Sequence, residues 1–172
     1  MRTAKEISII SVFVALLIGG QFVLSAVSGI EIVTVLSVSF FFYFGVVRGC
    51  IVATAFSLIR CFLFGFFPNV IILYLIYYNL LAITFGLLGR AFNKGISVKK
   101  IVVIVAVAVI MTALFTLLDN FITTTFYGFT ENARKAYFIS SMATMIPQLL
   151  CTLITVTFLF FPLYKICKTV RI

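Results

Sequence analysis

Long apolar runs alternate with brief polar punctuation along the whole chain. Residues 7–30, 61–89 and 137–164 carry no charge at all, and each run matches or exceeds the roughly 20 apolar residues that take a helix across a bilayer. Charges, Gly and Pro divide the chain into six predicted helices at about 7–28, 32–47, 49–66, 70–90, 101–126 and 136–165. Ser28-Gly29 followed by Glu31 closes the first, Val47-Arg48-Gly49 separates the second from the third, and Gly65 with Pro68-Asn69 turns the third into the fourth. A basic loop from Arg90 to Lys100 precedes the fifth, and Tyr127 to Lys135 leads into the sixth, where Pro147 predicts a kink rather than a break. The second segment is short, so it is expected to tilt little or to lie partly outside the hydrocarbon. The fold expected is an all-α integral membrane protein, a compact bundle of six transmembrane helices forming one domain over residues 1–172.

Composition closes off the alternatives. With 64% hydrophobic and 10% charged residues and a mean hydropathy of +1.31, the chain is no water-soluble globule, which carries roughly a quarter charged residues. The net charge of +9 needs no nucleic-acid partner, because membrane proteins concentrate Lys and Arg in cytoplasmic loops. A cytoplasmic N-terminus puts Arg2, Lys5, Arg48, Arg90, Lys94, Lys99, Lys100, Lys165, Lys168 and Arg171 inside and only Arg134 and Lys135 outside, so both termini are expected in the cytoplasm. The longest polar stretch, 93–100, is too short for a nucleotide-binding module, and no Walker-type sequence occurs. Any energy source is therefore expected to be external.

The absence of His excludes His-based zinc sites and Ser-His or Cys-His nucleophiles, so neither an enzyme, a metal nor a cofactor is expected. Cys50, Cys61, Cys151 and Cys167 lack CxxC spacing and read as small packed side chains. The first apolar run exceeds the 7–15 residue core of a secretion signal and reads as a retained helix.

One basic residue is left over from topology, Arg60 in the third helix. A charge at mid-bilayer costs about 2.5–3.5 kcal/mol on insertion scales, so such residues pair, face a bundle interior or mark a substrate path. At about 1.5 Å per residue from the outer helix ends, Arg60 lies about 9 Å deep and Asp119 about 10 Å deep, a common level at which they can meet. Gln21 falls at about 10 Å too, Ser140 and Ser141 are shallower, and Asn79, Thr144 and Gln148 reach toward the midplane. Asn120 adjoins Asp119, and Glu31 stands at the outer mouth. The cytoplasmic halves, such as 101–110 and 156–161, hold hardly a polar side chain. Two readings are open: a structural Arg60–Asp119 bridge fixing register, or a polar pocket opening outward. Tyr74, Tyr77, Tyr78, Phe126, Tyr127 and Phe129 serve equally as its walls or as interfacial anchors. Asn79 and Gln148 also suit plain interhelical hydrogen bonds, and Glu31 suits stabilisation of a helix N-terminus.

Small residues recur at every fourth position as Ser11, Ala15 and Gly19 in the first helix and as Gly45, Gly49, Ala53 and Ser57 around the third. Such faces let helices approach closely, within the bundle or against another protein. Six helices in under 200 residues, both ends cytoplasmic, no nucleotide motif and Ser11-x-x-x-Ala15-x-x-x-Gly19 together resemble the substrate-capture S components of energy-coupling factor (ECF) vitamin transporters. The segment Gly20-Gln21 through Gly29-Ile30-Glu31-Ile32-Val33-Thr34-Val35-Leu36 is similar to stretches of bacterial S components, where the first helix ends in a loop near the ligand. The family pattern is Ala-x-x-x-Ala; the matching pair here is Ala15 with Gly19 or Ser11 with Ala15. The resemblance implies a bacterial plasma-membrane protein that docks this face on a transmembrane coupling subunit. That subunit contacts two cytoplasmic ATPase subunits, and the S component topples in the membrane to deliver a vitamin or related micronutrient.

The substrate-binding candidates, Gln21, Glu31, Arg60, Asn79, Asp119, Asn120 and Gln148, follow from depth and polarity alone. An Arg with acidic and amide partners suits a zwitterionic or amide-rich molecule; resemblance alone suggests a cobalamin-like one. Two other functions are carried beside nutrient capture. A self-sufficient secondary transporter needs a polar path to the cytoplasm or paired broken helices, neither visible here, and a structural or assembly protein uses its seams and charges only to hold helices together. An intramembrane enzyme would need Asp119 and Glu31 as acid and base, which their different depths oppose.

Overall fold

Val33–Phe44, VTVLSVSFFFYF, has no predominantly polar face, the hydroxyls of Thr34, Ser37, Ser39 and Tyr43 being scattered among eight apolar side chains, and a helix hydrophobic all round is a buried one. The architecture is organised around this requirement. A computed structural model of the protein describes residues 2–25, 32–92 and 96–170. In these residues the chain forms α1 (Arg2–Leu24), α2 (Val33–Phe44), α3 (Val46–Phe64), α4 (Pro68–Ala91), α5 (Val98–Phe126) and α6 (Glu131–Thr169). α2 packs against all five other helices, and Val35, Val38, Phe40, Phe41 and Phe42 are fully buried.

Five helices, α1, α3, α4, α5 and α6, are long and apolar enough to cross a membrane. The expected second span is different: α2 has 12 residues, about 18 Å, against a hydrocarbon core of about 30 Å. It is enclosed by the other helices. α6 runs unbroken through Pro147, and through Pro162 as well, for 39 residues.

Residues from the start of α1 and the end of α6, including Ser8, Ile9, Ile166 and Val170, line one cavity, so the two chain termini share an end of the bundle. We call this the terminal end and its opposite the far end. Lys5, Arg48, Arg90, Lys99, Lys100, Lys165 and Lys168 lie within two turns of helix ends on the terminal side, and Arg134 and Lys135 open α6 on the far side. Arg48 pairs with Glu6 across α3 and α1. The terminal half of the core is aromatic: Phe42 meets Phe160 edge-on at 5.5 Å between ring centroids, and Phe13 lies 4.2 Å from Phe40. α1 and α6 make no helix contact among the described residues, and the cavity between them, about 450 Å³ and floored by Leu36, Ser39, Phe40 and Phe44, is apolar.

The turn from α2 to α3 is a single residue, Gly45, at φ 85°, a conformation glycine adopts without penalty. α4 passes directly over this elbow. A Cβ on Gly89 would stand 2.0 Å from the Phe42 carbonyl oxygen, and one on Gly86 would stand 2.6 Å from the Val46 nitrogen. Both obstacles are backbone and cannot rotate away. The two small-residue seams therefore divide. Gly49, Ala53 and Ser57 are buried, Gly49 lying against Phe41 and Ala82, so this seam is internal. Ser11, Ala15 and Gly19 are exposed, with nothing within 4 Å of a Cβ on Gly19.

Gly89→Ala is expected to destabilise the protein by about 1–3 kcal/mol, the usual cost of overpacking. Gly19→Ala is expected to be neutral or slightly stabilising, since alanine is the better helix former by about 1 kcal/mol. Thermal unfolding of the two variants in detergent checks this; equal melting temperatures for Gly89→Ala and the parent would refute the close approach.

Candidate functional site

Polar side chains of the far half fall into two groups divided by aromatic rings. The first is built by α1, α3 and α4. Gln21 Nε2 donates to Tyr74 Oη at 3.0 Å. Arg60, half-buried, lays its guanidinium over the Tyr74 ring with Cζ 4.1 Å from the centroid, and 5.1 Å from that of Phe64 on its own helix. Gln21 Oε1 and Arg60 Nε are both buried and meet no hydrogen-bond partner.

The second group is built by α4, α5 and α6. Asp119 accepts from Tyr137 Oη at 2.7 Å and from Thr123 Oγ1 at 3.0 Å. Thr123 in turn accepts from Asn69 Nδ2 at 3.2 Å, and Asn69 Oδ1 accepts from Tyr127 Oη at 3.3 Å. One turn of α5 lies between Asp119 and Phe115, whose ring meets Tyr74 edge-on at 5.8 Å and Tyr77 at 4.8 Å. This ridge stands between the two groups.

Arg60 and Asp119 form no ion pair, contrary to the bridge their expected common depth allowed. The ion pairs among the described residues are Arg48–Glu6 and Lys135–Glu131. Asp119 is satisfied by hydroxyl donors and ties α5 to α6. Arg60 is held by ring faces alone, and a cation over aromatic rings gains about 0.5–2 kcal/mol. That only partly offsets the roughly 2.5–3.5 kcal/mol that a central guanidinium costs on insertion scales.

The remaining candidates separate by role. Asn79 exchanges hydrogen bonds with Thr54 at 3.2 and 3.3 Å and donates to the Leu75 carbonyl, the interhelical tie that its position allowed for. Asn120 donates to Ser141 Oγ at 2.6 Å and to the Thr116 carbonyl. Its Oδ1 is buried without a partner, and the residue lines a pocket of about 190 Å³ between α5 and α6 with Thr124, Arg134 and Phe138. Gln148 is half-buried on α6 and joins neither group. Glu31 lies outside the described residues. Tyr74, Tyr77 and Tyr78 are buried walls, whereas Phe126 and Tyr127 are exposed.

Asn69, Thr123 and Tyr137 are hydrogen-bonded neighbours of the Asp119 group that the sequence did not single out. A depth signal for Tyr137 was present: six residues into α6, about 9 Å, it is level with Asp119. Comparison with known protein families, with curated proteins and with solved structures finds no match to this chain.

Tyr137→Phe removes a donor to Asp119 and keeps the ring. It is expected to lower stability by about 0.6–1.7 kcal/mol, the range for interhelical hydrogen bonds in membranes, without loss of the helical circular-dichroism signal. An unchanged unfolding midpoint would show that this bond does not hold α5 to α6.

Proposed function

We propose that the protein is the substrate-capture subunit of an ECF-type importer in a bacterial plasma membrane. It binds a small water-soluble, vitamin-like nutrient at the far end of the bundle. Transport is completed by a transmembrane coupling subunit and two cytoplasmic ATPase subunits.

The observation that carries this reading is the segregation of the interior. The terminal half is lined by α2 and its aromatic neighbours, and its cavity between α1 and α6 is apolar, while Gln21, Arg60, Asn69, Asp119 and Asn120, from α1, α3, α4 and α5, gather beyond it. A polar interior at one end and an apolar one at the other suits binding of a polar solute from one side rather than its passage through the protein. The excess of Lys and Arg at the terminal end supports a cytoplasmic location for that end, so that the polar end faces outward. The exposed Ser11, Ala15 and Gly19 face supports docking through α1, because small residues let a partner helix approach closely.

Purified protein is expected to gain thermal stability with at least one member of a panel of water-soluble vitamins. A panel that leaves the melting temperature unmoved, with no small molecule released on denaturation, would remove the capture reading. Ala15→Trp projects from an exposed position and is expected to leave stability and ligand binding intact while cellular uptake falls at least tenfold. Normal uptake by this variant would remove the docking face.

A further inference from the structure

The capture reading leaves the chemistry of the nutrient open, and the separation of Arg60 from Asp119 narrows it. We infer that the far-end site takes a small organic anion, a monocarboxylate with a flat apolar body, and that Arg60 supplies the countercharge. This inference rests on the capture reading and specifies its ligand.

The chain has four acidic residues. Glu6 is engaged by Arg48 and Glu131 by Lys135, Asp119 accepts from Tyr137 and Thr123, and Glu31 lies outside the described residues. No described carboxylate meets Arg60. Its guanidinium is a fixed fork of donors whose geometry matches a carboxylate bidentately. Burial against Tyr74 and Phe64 strips it of much of its water, and an ion so placed favours an opposite charge far more than one in bulk solvent does.

A cationic ligand would meet this charge unfavourably. Asp119 has both oxygens occupied by Tyr137 and Thr123, so it offers no unengaged carboxylate to a ligand's cation. An anion meets Arg60 without needing one.

The surroundings define the rest of the ligand. Tyr74 contacts Phe56, Tyr78 and Phe115 at ring-centroid distances of 6.2, 5.2 and 5.8 Å, so the charge sits at the edge of an aromatic cluster. Planar apolar groups stack favourably on such rings. Gln21 Oε1 and Arg60 Nε, an orphaned acceptor and an orphaned donor, flank the same tyrosine and are satisfied by a ligand that brings both an acceptor and a donor.

The test uses matched acids and amides with the purified full-length chain in detergent: nicotinate, 4-aminobenzoate, biotin and lipoate, each against its amide, with thiamine and riboflavin as cationic and neutral probes. Thermal shift identifies binders and titration calorimetry ranks them. At least one acid is expected to bind ten times or more tightly than its amide. Arg60→Gln should abolish that preference, and Arg60→Lys, which keeps the charge but not the fork, should retain part of it. Comparison of acid with amide on the parent protein needs no variant to fold. Equal binding of acid and amide, or an acid preference that survives in Arg60→Gln, overturns the inference. Binding of thiamine or riboflavin alone, unchanged in Arg60→Gln, overturns it while leaving capture standing. Failure of every probe and of the wider vitamin panel overturns both.

Discussion

Everything in this bundle follows from the enclosure of α2. A 12-residue helix with no predominantly polar face cannot span a bilayer about 30 Å thick, yet it is too apolar to lie in water. The five longer helices solve this by surrounding it. Its sequence also sets the spacing of its neighbours: three consecutive fully buried phenylalanines, Phe40 to Phe42, lie between α6 and the packed pair of α1 and α3, which do not touch α6 among the described residues. Gly86 and Gly89 let α4 ride directly over the α2–α3 elbow. Close approach on one flank and bulk on the others come from the same short segment.

A helix too short to fill the bundle leaves the far half to be filled otherwise. There the remaining helices meet through rings and polar side chains, and hydrogen bonds replace apolar packing as the means of holding α5 to α6. Asp119 belongs to that scaffold. Arg60 does not: its guanidinium rests on the rings of Tyr74 and Phe64, and no described carboxylate pairs with it.

The six helices were legible in the chain because charges, glycines and prolines interrupt long apolar runs, and the boundary at Gly65–Pro68 follows those signals. The enclosure of α2 was less legible: a helix with no predominantly polar face reads the same whether lipid or protein surrounds it. Helix rise converts sequence position into an approximate level, but azimuth was not legible. Rotation about each helix axis, which decides whether two residues face each other or turn away, depends on tertiary packing, and here it lays Arg60 on Tyr74 and Phe64 and gives Asp119 to Tyr137 and Thr123. The same limit explains why the α1 and α3 small-residue seams looked equivalent, although one is buried against α4 and the other is open.

The helices are also of very unequal length. α3 has 19 residues and α6 has 39, about 28 Å and 58 Å along their axes. α3 matches the hydrocarbon thickness while α6 far exceeds it, and a helix that is too long tilts, kinks or thickens the bilayer around it. The molecule thus presents lipid with a short flank and a tall flank. Bilayer thickness therefore bears on how such a molecule leans, and acyl-chain length becomes a variable in how its two ends are presented.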